Sequence, residues 1–67
     1  PAISQLFVKT SALNNVISIY SLQGVLLTQV NSDSNFKIID INDLSSGVYL
    51  VEILNYKDKH YQKIIVK

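Results

Sequence analysis

The chain has 67 residues, 48% of them apolar, with six lysines, no arginine and five carboxylates for a net charge of +1. This length sets a single domain with a small core, one that removes only about 60% of the unfolded surface from water. The absence of cysteine excludes disulfides and thiolate metal sites, and the scattered lysines lack the clustered pattern of nucleic-acid binding. Apolar runs such as Val25-Leu26-Leu27 are far too short for a helical membrane span, so no membrane insertion is expected. No signal peptide is visible, and a start at Pro1 rather than Met reads as a piece of something longer, with residues 1–67 as one domain.

Period-two alternation governs the chain, and helical spacing does not. Ser4 to Thr10 places Leu6 and Val8 on one face of a first strand, with Gln5, Phe7 and Lys9 on the other. Asn15 to Tyr20 reads as a second strand with Ile17 and Ile19 inward. Leu22-Gln23-Gly24 then forms a tight turn, where glycine supplies positive φ. Val25 to Val30 is the returning strand, with Leu27 expected in the core. Asn31 to Asn35 is a run of loop-forming residues whose side chains compete for backbone hydrogen bonds.

Phe36 to Ile41 is the fourth strand, with an imperfect alternation that puts Phe36 and Ile38 on one face and Ile39 and Ile41 on the other. Asn42 to Gly47 is a polar corner around Leu44. Val48 to Leu54, interrupted only by Glu52, is apolar on both faces and is expected at the centre of its sheet. Asn55 to Lys59 closes a hairpin onto Tyr61 to Val66. Six strands with turn signals about every 8 to 12 residues predict an antiparallel β-sandwich. The expected core is Leu6, Val8, Ile17, Ile19, Leu27, Ile38, Leu44, Tyr49, Val51, Ile53 and Ile65.

Catalytic constellations are sparse. His60 is the only histidine, beside Asp58, and Ser45 or Ser46 would have to complete a triad with them; a solvated loop is the simpler reading. One histidine and no cysteine leave little for zinc. Asp40, Asn42, Asp43 and Ser45 offer oxygens toward calcium, but no Asp-x-Asp-x-Asp-Gly loop is present, and bonding to turn backbone accounts for them better. Tyr20, Tyr49, Tyr56 and Tyr61 suit cross-strand packing more than a sugar platform. No cofactor, no metal and no enzymatic activity are expected.

Four blocks, in order, carry a resemblance. Pro1-Ala2-Ile3-Ser4-Gln5-Leu6-Phe7-Val8 is similar to the end of a Tyr-Pro-Asn-Pro block that runs into Leu-x-Val. Ile17-Ser18-Ile19-Tyr20-Ser21-Leu22-Gln23-Gly24 is similar to Ile-x-Val-Tyr-Asp-x-x-Gly, with Ser21 where Asp or Asn is usual. Leu44-Ser45-Ser46-Gly47-Val48-Tyr49 matches Leu-x-x-Gly-x-Tyr, and Lys63-Ile64-Ile65-Val66-Lys67 is similar to a closing Lys-x-Ile-Val strand. Together they resemble the type A C-terminal sorting domain of the type IX, or Por, secretion system.

The resemblance implies an all-β, immunoglobulin-like antiparallel β-sandwich of six to seven strands at the end of a secreted cargo protein. It implies a cargo that passes through the periplasm to the cell surface or beyond, with the type IX translocon, a sortase-type peptidase and an upstream cargo domain as partners. Gly47, Tyr49, Lys63, Ile64, Ile65, Val66 and Lys67 are the candidate recognition residues. The alternative is a C-terminal accessory module that binds carbohydrate or a neighbouring domain.

Overall fold

The computed structural model describes residues 5–66. The expected start of the first strand at Ser4, and Lys67 among the candidate recognition residues, lie outside that range. Six strands follow one another: β1 (Gln5–Lys9), β2 (Asn15–Ser21), β3 (Leu26–Ser32), β4 (Phe36–Asp40), β5 (Gly47–Leu54) and β6 (Lys59–Val66). No helix occurs among the described residues. Each strand lies within two residues of its expected bounds, the largest differences being β3, which runs on to Ser32, and β6, which starts at Lys59.

β1 and β4 pair antiparallel in a two-stranded sheet, and β3-β2-β5-β6 form a four-stranded antiparallel sheet. This is the immunoglobulin arrangement of a B–E pair facing a C′–C–F–G sheet. The chain leaves the larger sheet at Asp33 to Asn35 and returns to it through the corner before Gly47. Between the sheets, Val8, Ile39 and Ile41 meet Ile17, Ile19, Tyr49, Val51 and Val66. Ile17 lies opposite Ile53, and Ile19 opposite Val51, so the two central strands present one continuous aliphatic face.

Three expected core residues lie on the surface instead. Leu27 is 43% exposed, because a register shift opposite Ile19 and Tyr20 makes it the extra residue of a bulge, and Thr28 and Val30 take the inward positions. Ile38 is 46% exposed, because β1 turns Leu6 and Val8 inward and so places Ile39, opposite Leu6, in the core. Ile65 is 58% exposed, because it pairs with Val48, whereas Ile64 and Val66 lie beside the inward Tyr49 and Gly47. A strand apolar on both faces does not encode which face is inward; its partner does.

At one end of the sandwich a buried asparagine joins the connections. Asn15 Nδ2 donates to the carbonyls of Ala12 (3.0 Å) and Ser34 (3.2 Å), and its Oδ1 accepts from Asn55 Nδ2 at 3.1 Å. Three loops that are distant in sequence are thereby fixed to the start of β2.

Candidate functional site

The Leu44 to Gly47 corner is built from local hydrogen bonds. Asp40 Oδ1 accepts from the Asn42 amide at 2.9 Å, and the Leu44 amide donates to the Ile41 carbonyl at 3.1 Å. These bonds occupy the segment considered for calcium with ordinary turn chemistry, and Asp40 rather than Asp43 does the bonding. Tyr49, only 8% exposed, closes the corner, its hydroxyl donating to the Ser45 carbonyl at 2.6 Å. A tyrosine at the start of the F strand bonding back to upstream backbone is the tyrosine corner of immunoglobulin-like domains.

Gly47 holds φ at +156°, a conformation that residues with a Cβ rarely adopt, and an added Cβ would come only to 3.9 Å from the Tyr49 ring. The requirement for glycine is therefore one of backbone conformation and not of space. Gly47→Ala is expected to cost about 1–3 kcal/mol, read as a lower urea midpoint with unchanged slope. A midpoint equal to that of the parent chain would mean that the corner relaxes freely.

The β5–β6 register brings the candidate segments together. Gly47 pairs with Val66, Val48 with Ile65, Tyr49 with Ile64 and Leu50 with Lys63. Blocks well separated in the sequence become one antiparallel seam. Its inward side (Tyr49, Ile64 and Val66) belongs to the core or packs on it. Its outward side presents exposed Lys63 and Ile65 beside half-buried Val48 and Leu50. Six of the seven candidate recognition residues thus lie on one seam, and Lys67 lies outside the described residues.

Further along the same outer face sits Glu52. Tyr20 donates a long 3.5 Å hydrogen bond to it, and Lys59 lies 3.9 Å away. Tyr61 is directly opposite Glu52, and its interaction with that carboxylate holds the Tyr61 hydroxyl above the ordinary phenol range. This outer face is a mixture of aliphatic groups and a compensated carboxylate.

The triad residues do not assemble. His60 lies 3.1 Å from Asp58, but it pairs with Ile53, six positions along β5 from Gly47. At the strand rise of about 3.3 Å per residue, Ser45 and Ser46 are at the other end of the sheet, roughly 20 Å away. Among the described residues, no group of three His, Cys, Asp or Glu side chains is placed to hold a metal ion. The Asn15 junction escaped sequence reading because hydrogen bonding across three loops leaves no periodic trace.

Comparison with known proteins identifies the family. The family described as the secretion system C-terminal sorting domain matches residues 1–67. Neither the curated proteins nor the solved structures gave a match. Matched over its whole length, the chain belongs to the secretion system C-terminal sorting domains, the signals by which the type IX secretion system recognises cargo to be secreted or attached to the surface.

Proposed function

We propose that the type IX machinery reads this domain at the seam where Gly47 to Leu50 meets Lys63 to Val66. The observation that carries the reading is the register, which joins the Leu-x-x-Gly-x-Tyr block to the closing strand and turns Lys63 and Ile65 outward. Gly47 and Tyr49 set the corner, and the corner sets where β5 begins. The outward pair of β6 depends on that corner, so folding and recognition use the same residues. In this reading the cargo precedes the domain and reaches the translocon from the periplasm. A sortase-type peptidase then acts where cargo and domain join.

The test uses substitutions that spare the fold. Lys63 and Ile65 are exposed, so Lys63→Glu with Ile65→Gln should change stability by only about 0.5 kcal/mol. A reporter carrying this double variant should reach the surface about tenfold less than one with the parent domain, which corresponds to about 1.4 kcal/mol lost at recognition. Phe7→Gln, on the outer face of the two-stranded sheet, should leave delivery unchanged. Normal delivery of the double variant, with the Phe7 variant failing, would move the recognition surface to the other side of the sandwich.

A further inference from the structure

The two sheets are unequal, and the difference leaves an opening. His60 and Gln62 lie on the inward side of β6, opposite Ile53 and Val51, yet both are exposed. Beside them runs a groove of about 310 Å³, with Leu6, Val8, Val51, Ile53 and Ile64 supplying apolar walls. One border is β1, whose only strand partner among the described residues is β4. Its other edge therefore presents backbone N–H and C=O groups to the groove. In the immunoglobulin order A-B-E-D, the place beside strand B belongs to strand A. Here that place, next to β1, holds no described strand.

The groove also has a sign. Lys9 and His60 line it, and no carboxylate does. Among the described residues Lys9 makes no ion pair, whereas His60 has Asp58 at 3.1 Å. Lys9 is exposed and solvated, and an occupant strand with acidic side chains on its outer face complements it. A second copy of this chain supplies that poorly. Its strands β1, β2, β3 and β6 carry no carboxylate, β4 carries only Asp40 and β5 only Glu52.

We propose that the groove between β1 and β6 accepts an extended acidic strand from another protein, which pairs with the free edge of β1 and inserts alternate apolar side chains against Val8, Ile53 and Ile64. This rests on the sorting reading for its biological setting, and of the seam residues it uses only Ile64, on the inward side. Strand addition draws affinity from main-chain hydrogen bonds and selectivity from alternate side chains. A receptor that works this way recognises a fold rather than a strict sequence.

The test is direct binding to the 67-residue chain, its fold first checked by a β-type circular dichroism spectrum. The probe is an end-capped octapeptide of alternating valine and glutamate, compared with one of alternating valine and lysine. The acidic peptide should slow amide exchange along β1 and shift the Val8, Ile53 and Ile64 methyl resonances. The lysine peptide should bind about tenfold more weakly. Methylating the peptide nitrogens that face β1 should abolish binding, and Lys9→Glu, an exposed change, should reverse the charge preference.

Three outcomes overturn the proposal. Equal binding by acidic, basic and N-methylated peptides would mean simple apolar adsorption. Protection of β1 that depends on protein concentration, with dimers in sedimentation, would make a second copy the occupant. Loss of peptide binding in an N-terminally longer form of the protein, with β1 already protected, would assign the groove to a preceding segment of the same polypeptide. Each would leave the sorting reading intact, because that is judged by surface delivery and not by peptide binding.

Discussion

Replacing Ile19 by Ala should remove a large part of the chain's stability. Ile19 is 0% exposed, between Val51 on one side and Thr28 on the other, at the centre of the four-stranded sheet. Truncating a buried isoleucine removes transfer free energy and leaves a cavity, together about 2–5 kcal/mol. A chain of this size has on the order of 3–10 kcal/mol in total. Val51→Ala should cost less, about 1–3 kcal/mol, because fewer methyl groups are removed. The matched control is Ile65→Ala: the same side chain, but exposed, should shift stability by only about 0.5 kcal/mol. Urea unfolding followed by circular dichroism separates these cases. Equal losses at positions 19 and 65 would show that the inward and outward faces have been assigned wrongly.

Deleting Lys63 to Lys67 should be as damaging, for a different reason. It removes the half of β6 that pairs with Gly47 to Leu50, and with it the inward side chains of Ile64 and Val66. Burial of two aliphatic side chains is worth about 1.5–3 kcal/mol each, so the loss approaches the whole stability of the domain. The deletion also exposes the most apolar strand as an unpaired edge, and such edges template aggregation. The expected result is loss of amide protection along β2 and β5, with soluble aggregates on size exclusion. A truncated chain that stays monomeric with those amides protected would mean that the end of β6 contributes little to the fold.

The strand count and strand bounds were legible in the sequence because turn residues punctuate it and β-branched residues fill the space between. The third block was legible too, since Gly47 and Tyr49 have specific structural duties that a motif preserves. Facing was harder. Ile17 and Ile19 were read correctly because Ser18 between them is polar, although Ser18 itself is buried in the middle of the sheet. Ile38 and Ile65 were misplaced because their neighbours Ile39 and Ile64 are equally apolar, and only the partner strand decides between them. Leu27 failed through the bulge, which shifts alternation by one without any glycine to announce it. Of the candidate site, the two blocks and the hairpin that pairs their strands were visible, and the structure adds the register, Gly47 opposite Val66 and Leu50 opposite Lys63.

In the proposed reading this sandwich is an address and its final strand is part of it. The most direct measurement is the fraction of a reporter on the cell surface, in a host competent for type IX secretion. The reporter carries an N-terminal export signal and either the intact domain or the domain lacking Lys63 to Lys67. The expected result is surface reporter with the intact domain and reporter retained inside the cell envelope with the truncated one. Equal surface delivery by the two fusions would contradict it.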